Sequence, residues 1–214
     1  MKIGLIHATT TAVNPIVKAF QEESTPVELL HFMDTGLLPM IEESGSLTPE
    51  IIRRFSLLVN LAVQSSVDCI QLSCSAFNNV TKILQPLYPM KLFRSDEAVL
   101  DEALAYERIG LISTVKETPI ALMSYLKEKN PKVSVESLVE PGLIHFLMKG
   151  NKELHDRRVR EMVHQLKGKV DVIVLSQYSM EHIAAQVQST VPLLTAPRAS
   201  AKRCLSYLRT LTSI

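Results

Sequence analysis

The sequence predicts an α/β protein built from two similar halves, each with its own parallel sheet. Apolar runs of strand length alternate with helix-length segments along all 214 residues, which is typical of parallel strands covered by helices on both faces. Two landmarks also repeat at nearly the same spacing. Gly4 matches Gly110, 106 residues later, and Asp68 matches Asp171, 103 residues later. The order of elements between them is the same, so we interpret the chain as an internal duplication.

The elements of the first half, residues 1–95, follow from apolar runs and helix-start signals. Asn14 before Pro15 and Thr48 before Pro49 each place a capping residue ahead of a proline, as at the start of a helix. Residues 34–45 contain Gly36, Pro39 and Gly45, and this spacing of glycine and proline predicts a loop there. Strands are predicted at 2–7, 27–32, 68–73 and 90–93, and helices at 14–23, 48–66 and 77–85.

The second half, residues 96–197, restarts the same order after a helix at 96–106. Thr118 before Pro119 repeats the cap-and-proline signal, and Pro141-Gly142 leads into a short apolar segment. Strands are predicted at 108–113, 133–138, 170–175 and 191–194. Further helices are predicted from 118, at 151–166, at 179–188 and at 198–211.

Composition excludes several classes of protein. The 23 basic and 22 acidic residues balance, and no basic patch marks a nucleic-acid partner. Apolar runs are far shorter than a membrane span, and the N-terminus lacks the cleavage pattern of a signal peptide. Three cysteines without framework spacing do not indicate disulfides. We therefore expect a soluble cytoplasmic protein with no membrane partner.

The site is predicted between the two halves. Ligands of open parallel sheets bind beyond the carboxyl ends of the strands, and two like halves leave a cleft between them. The loops at these ends are 8–11, 74–78, 114–118 and 177–179. Two equivalent strands run into Leu-Ser followed by Cys74 in the first half and Gln177 in the second.

Cys74 is the principal candidate for chemistry. It lies where a strand ends and a helix is predicted to begin, so the positive end of the helix dipole is expected to lower its pKa from roughly 8.5 and favour the thiolate. The alternative is a small buried hydrophobic residue, which is what we expect of Cys69 and Cys204.

Hydroxyl and amide side chains surround this position. With backbone amides at helix starts they could hold a carboxylate without a fixed positive charge, although local capping also favours these residue types. There is no Gly-rich phosphate loop, no hydrolase elbow and no histidine spacing typical of a metal site. His7 ends the first strand and could reach the cleft. The candidates are Thr9, Thr10, Ser75, Asn78, Thr114, Gln177 and Ser179.

These segments resemble the aspartate/glutamate racemase superfamily, which includes hydantoin racemases, maleate isomerases and arylmalonate decarboxylases. The resemblance covers nearly the whole chain and is carried by Ile3-Gly4-Leu5-Ile6-His7-Ala8-Thr9, Leu72-Ser73-Cys74-Ser75-Ala76-Phe77-Asn78, Ile109-Gly110-Leu111-Ile112-Ser113-Thr114 and Val174-Leu175-Ser176-Gln177-Tyr178-Ser179-Met180. It implies halves related by a pseudo-twofold axis, a terminal helix at 198–214 packing back on the first half, and chemistry without a cofactor or metal at the carbon next to a carboxylate. It leaves a homo-oligomer open.

In the racemases of this superfamily, two cysteines face each other across the substrate, and Cys74 falls on the first position. Gln177 falls on the second, and an amide cannot shuttle protons. The acidic residue that glutamate racemases carry at the end of the first strand is also replaced, by His7-Ala8-Thr9.

Four interpretations follow from this departure. The chain is a one-cysteine enzyme, a decarboxylase or an isomerase. It is a racemase whose second acid is Tyr178, His182 or His7. It is a non-catalytic protein that binds or senses a small carboxylate. Or Cys74 does metal or redox work. The first is favoured, with Cys74 as the ionising group, Gln177 opposite it and Tyr178 shaping the substrate pocket.

Overall fold

Two four-stranded parallel sheets form the centre of the protein in a computed structural model that describes residues 1–212. The first sheet has the order β2-β1-β3-β4 and the second β6-β5-β7-β8, so the halves share one topology. The strands are β1 (Lys2–His7), β2 (Glu28–Met33), β3 (Cys69–Leu72), β4 (Lys91–Phe93), β5 (Arg108–Ser113), β6 (Ser134–Val139), β7 (Val172–Leu175) and β8 (Leu193–Thr195). The predicted fold class and duplication are confirmed.

Helices cover the faces of both sheets. They are α1 (Val13–Glu22), α2 (Leu37–Ser44), α3 (Pro49–Gln64), α4 (Val80–Leu84), α5 (Glu97–Ala103), α6 (Thr118–Lys129), α7 (Leu143–Met148), α8 (Lys152–Leu166), α9 (Glu181–Ala184) and α10 (Ala196–Thr212). Short 3-10 turns lie at Thr10–Ala12, Ser75–Phe77, Gln85–Leu87 and Tyr178–Met180. None of the described helices is long and apolar enough to cross a membrane.

Gly4 and Gly110 have the same packing role in the two halves. A Cβ at Gly4 would lie 3.2 Å from the Cβ of Ala62 on α3, and one at Gly110 would lie 2.8 Å from Cδ1 of Leu166 on α8. The central strand of each sheet therefore needs glycine where a helix crosses it closely.

The two halves share a core. One continuous cluster of buried side chains includes Ile3 and Leu5 of β1 together with Ile109 and Leu111 of β5. Helix α10 packs against α1 and α5 and contacts β3. The predicted terminal helix was drawn to residue 214, and residues 213 and 214 lie outside the described part of the chain.

Several predicted boundaries are wrong. The predicted loop at 34–45 contains α2. Asn14 lies inside the first turn of α1 rather than capping it, and Thr118 is the first residue of α6 rather than its cap. Thr48 does cap α3, because its Oγ1 accepts a hydrogen bond from the Ile51 N–H at 3.3 Å. The helices predicted at 77–85 and 179–188 shorten to α4 and α9, each preceded by a 3-10 turn.

Candidate functional site

A small cavity lies between the carboxyl ends of the two sheets. Its volume of about 20 Å³ is room for about one water molecule. None of the side chains around it carries a formal charge. It is lined by Thr9, Thr11, Ala12, Leu38, Ser73, Cys74, Ser75, Val115, Ile144, Gln177, Tyr178 and Ser179. The space is therefore narrow and uncharged, with polar and apolar groups in its wall, and Cys74 keeps part of its surface exposed there.

Cys74 and Gln177 occupy equivalent positions in the wall of this cavity. Each follows the last strand residue by two, and each precedes a 3-10 turn. Their backbones match as well, with φ −123° and ψ 116° at Cys74 and φ −125° and ψ 140° at Gln177. The duplication has thus placed a thiol and an amide at the same point of the two halves.

The Gln177 side chain has a fixed orientation. Its Oε1 accepts hydrogen bonds from the backbone N–H of Thr114 at 2.7 Å and from the Thr114 hydroxyl at 3.0 Å. An N–H can only donate, so the atom facing Thr114 must be the oxygen. The amide nitrogen, which has no hydrogen-bond partner among residues 1–212, is left as a donor in the cavity wall.

The Cys74 thiol does not have the lowered pKa that the sequence predicted. Desolvation raises the pKa of Cys74 to about 12, although part of the residue surface stays exposed; a hydrogen bond from the Ala76 N–H opposes the shift, and the Glu42 carboxylate adds to it. The expected helix is absent at this point. A three-residue 3-10 turn follows Cys74, and the next α-helix has five residues, so little dipole is available to stabilise a thiolate. In the closed state the thiol is protonated at neutral pH.

Three of the predicted hydroxyl groups lie in the cavity wall: Thr9, Ser75 and Ser179. Thr9 Oγ1 lies 3.1 Å from Thr11 Oγ1, and Ser75 Oγ lies 3.0 Å from Thr118 Oγ1. Ser179 Oγ is buried and has no hydrogen-bond partner among the described residues. A buried polar group left unpaired costs about 1–3 kcal/mol, so Ser179 is a natural place for a ligand to bind.

The other predicted side chains lie outside the wall. Thr10 is exposed, and Thr114 holds Gln177. Asn78 is fully buried: its Oδ1 accepts from the N–H and hydroxyl of Ser95 at 2.8 and 3.1 Å, while its Nδ2 is unpaired within the described chain. Of these residues, Thr114 supports the site directly, through its hydrogen bonds to Gln177.

Tyr178 lines the cavity, but its hydroxyl points into the interface between the halves. It donates to Ser200 Oγ at 2.7 Å and accepts from Gln71 Nε2 at 3.2 Å, and burial raises the pKa of Tyr178 far above its usual value. His182 is also engaged elsewhere, with its Nε2 2.8 Å from Asp156 Oδ2. Neither group is placed to serve as a second proton donor.

Sequence reasoning missed the apolar cover of the site. Leu38 on α2 and Ile144 on α7 close the cavity together with Val115. The two covering helices also touch through a polar contact, in which Glu42 Oε2 lies 3.1 Å from His145 Nε2. The available sequence signal was the group of apolar residues Leu37, Leu38 and Ile41 in one short segment, all three of which are buried on α2.

A larger groove of about 640 Å³ lies between α5 and α10, lined in part by Asp101, Lys202 and Arg203. It is open to solvent, and although Phe93 at the end of β4 lines it, none of the loops after the first and third strands of either half does. We place the candidate site in the smaller cavity, because there the equivalent loops of both halves converge.

Comparisons with known proteins identify the fold. No protein-family model and no curated protein sequence matches the chain. Solved structures do match, among them a glutamate racemase from Francisella tularensis in complex with D-glutamate (TM-score 0.77, 16% identity, 99% of this chain and 82% of that one). An aspartate racemase from Picrophilus torridus (TM-score 0.75, 12% identity, 96% and 93%) and an allantoin racemase from Klebsiella pneumoniae (TM-score 0.69, 16% identity, 98% and 88%) are similar too.

These identities establish the fold alone. The chain has the fold of the aspartate/glutamate racemases over nearly its whole length. The architecture that the sequence resemblance predicted is therefore confirmed.

Proposed function

We propose that the protein is an enzyme that does cofactor-independent acid–base chemistry at the carbon next to a carboxylate, with Cys74 as its one thiol. The observation that carries the proposal is the pairing of Cys74 with Gln177 at equivalent points of one closed cavity. General acid–base catalysis needs a group that can exchange a proton at the reacting carbon, and among the cavity-lining residues Cys74 is the side chain suited to that role.

The protonated state of Cys74 favours delivery of a proton over its removal. A thiol with a pKa of about 12 is neutral at pH 7, so it can protonate a carbanion formed when another bond breaks. Loss of carbon dioxide from a malonate-type acid is such a reaction: the C–C bond electrons pass to the α-carbon as an enolate, and the S–H proton then joins that carbon from one face. Gln177 Nε2 and Ser179 Oγ are donors suited to the enolate oxygens.

The cavity also selects for the kind of carboxylate. Its hydroxyl and amide groups can bind a carboxylate, but its wall contains no acidic side chain to pair with an ammonium group. Burying an unpaired ammonium is costly. We infer that the preferred substrate is a small carboxylic acid without an α-ammonium group, rather than aspartate or glutamate.

The test is proton NMR in deuterated water with a panel of aryl- and alkylmalonates, maleate, hydantoins, aspartate and glutamate. We expect a malonate to lose carbon dioxide and give a product with one deuterium at the α-carbon, in one handedness. Cys74→Ser should bind the substrate but lose turnover. If no turnover depends on Cys74, and wild type and Cys74→Ala bind the compounds equally well, the enzyme proposal is wrong. The protein would then be a carboxylate-binding protein.

A gain-of-function variant tests the role of position 177. Gln177→Cys puts a second thiol at the equivalent point of the other half, which supplies a proton donor on the opposite face. We expect this variant to exchange the α-proton of the product acid for deuterium in both enantiomers, while the wild type labels one. Thr114→Val, which removes the hydroxyl that holds Gln177 but adds no acid, is the control and should not label both.

A further inference from the structure

A separate pocket of about 200 Å³, which we call the Glu117 pocket, lies between the two halves. Ile41 near the end of α2 lines it from the first half, and Glu117 and Ile120 at the start of α6 line it from the second. Ala76, in the turn that follows Cys74, lines it as well. No residue of the described chain lines both this pocket and the cavity of the candidate site, so the two are separate spaces.

The Glu117 carboxylate supplies the charge in the wall of this pocket. Glu117 is partly buried, and its Oε2 is buried with no hydrogen-bond partner among residues 1–212. The residue directly precedes α6, but its side chain makes no capping hydrogen bond to that helix. An oxygen that is shielded from water and unpaired is unfavourable, and more so when it carries charge. The carboxylate is therefore suited to a cation that comes from outside the described chain.

The rest of the wall is mostly apolar, which is the usual composition of a small-molecule site at a domain interface. Ile41, Leu47 and Ile120 contribute aliphatic side chains, and Ile120 is 62% exposed, so a ligand there would also cover apolar surface. A cavity of about 150 Å³ holds a benzene ring, so this pocket has room for a ring of that size with a cationic group attached.

The pocket also connects to the cover of the candidate site. Ile41 shares one face of α2 with Leu38, three residues earlier, and Leu38 covers the cavity that contains Cys74. On the other side, Thr118 directly follows Glu117, and its Oγ1 lies 3.0 Å from the hydroxyl of Ser75, the residue after Cys74. A ligand in the pocket would therefore link the covering helix α2 to the second half.

We propose that the Glu117 pocket is a second ligand site, which binds a small organic cation and holds the cover of the candidate site closed while the cation is bound. The ligand class is an ammonium or amidinium group on a compact apolar body. The cationic N–H groups donate to the Glu117 carboxylate, and an amidinium matches its two oxygens with two parallel hydrogen bonds. A ligand that needs both walls binds the closed form better than the open one and shifts the population toward it.

Benzamidine is the probe for binding, because it stays cationic at pH 7 and in that form does not react with iodoacetamide. Benzamide is its neutral counterpart of the same shape. In ¹H–¹⁵N NMR at constant ionic strength, we expect benzamidine, and not benzamide, to shift the backbone amide signals of Leu47, Ala76 and Asn79, which line the pocket. Glu117→Gln should weaken the binding by about tenfold. Glu43→Gln, which removes an exposed carboxylate from α2, is the matched control and should bind like the wild type.

The effect on the cover is measured in the same samples, as the rate at which iodoacetamide alkylates Cys74. At about nine times its dissociation constant for the wild type, a ligand that binds only the closed form slows an opening-dependent reaction by about tenfold. We expect this slowing in the wild type and in Glu43→Gln, and a slowing of about twofold in Glu117→Gln at the same concentration.

Two results would overturn the proposal. Equal binding of benzamidine and benzamide, or of benzamidine by wild type and Glu117→Gln, would mean that Glu117 does not hold the cation. Unchanged Cys74 alkylation in the wild type saturated with benzamidine would mean that the pocket does not act on the cover. Both measurements use the protein without substrate, so their failure leaves the proposed function intact, and an absence of turnover leaves this test valid.

Discussion

Cys74 and Gln177 have nearly the same backbone conformation and very different chemistry. A thiol can release and take up a proton, whereas an amide contributes hydrogen bonds alone. Thr114 fixes the oxygen of Gln177 through two hydrogen bonds, so the second half offers a donor at the point where the first offers an acid. In the reaction that we propose, this asymmetry limits proton transfer at the substrate to one face.

The raised pKa of Cys74 gives a direct prediction for its reactivity. With a pKa of about 12 instead of about 8.5, the thiolate population at pH 8 falls by about a thousandfold. We expect iodoacetamide to alkylate Cys74 in the folded protein about a thousandfold more slowly than in the same protein unfolded in urea, measured by mass spectrometry of the peptide. The rate should still be rising above pH 10, where an ordinary thiol levels off. Native alkylation within a few-fold of the unfolded rate would mean that the site stabilises the thiolate.

At the same scale, the sequence predicted which residues reach the strand ends but not what each one touches. Thr9, Ser75 and Ser179 were recognisable because the C-terminal edge of a parallel sheet is fixed by topology. The pairing of Gln177 with Thr114 and of Asn78 with Ser95 depends on side-chain rotamers, which a pattern of residue types does not specify. The contact between His31 and His7 gave no signal, because it depends on the strand register that places the two side chains together.

Helices α2 and α7 cover the site and separate it from solvent on that side. The cavity of about 20 Å³ is too small for a dicarboxylic acid, and Leu38 and Ile144 on these helices cover it. If the cavity is the site that we propose, we expect substrate to enter when α2 and α7 move apart. The Glu42–His145 pair joins one helix from each half across this cover.

Loosening that contact should expose Cys74. His145→Ala removes a contact whose two side chains are 40% and 26% exposed. Even a fully charged pair at such an exposed position contributes at most about 1 kcal/mol, which corresponds to about a fivefold change in an opening equilibrium. We expect Cys74 alkylation to accelerate by up to that factor. Lys169→Ala, which breaks the exposed pair with Glu136 at 3.3 Å, is the control and should leave the rate unchanged. Equal rates in both variants would show that the pair does not hold the cover closed.

The same element shows where sequence reasoning failed and why. Gly36, Pro39 and Gly45 are typical of a loop, yet proline is tolerated in the first turn of a helix, and Pro39 is the third residue of α2. Gly45 ends the helix with a φ of 68°, as glycine often does. The apolar residues of α2 were too few to show a helical period. By contrast, α3 was predicted well. It begins at a capping residue, and its sixteen residues are enough for the helical spacing of apolar residues to repeat over several turns.

At the scale of the whole molecule, a buried polar interface joins the two halves. The Tyr178 hydroxyl bridges Gln71 of β3 and Ser200 of α10, and the guanidinium of Arg94, which follows β4, donates to the Ala121 carbonyl on α6 at 3.1 Å. These partners are 22 to 107 residues apart in sequence, so local pattern could not reveal them. They hold the sheets in the relative position that brings Cys74 and Gln177 to one cavity.

The buried Arg94–Asp96 ion pair fixes the guanidinium that makes this contact with α6, and we expect its loss to destabilise the protein. Its side chains are 4% and 1% exposed, and Nη2 lies 2.6 Å from Oδ2. Arg94→Met leaves the Asp96 carboxylate buried without its cation, which costs about 3–5 kcal/mol. Arg54→Met breaks the Arg54–Asp34 pair, whose side chains are 45% and 20% exposed, and should cost about 1 kcal/mol or less. Urea unfolding at pH 7 gives both values. Equal losses in the two variants would mean that solvent reaches Asp96 and that the halves are held together by their shared apolar core.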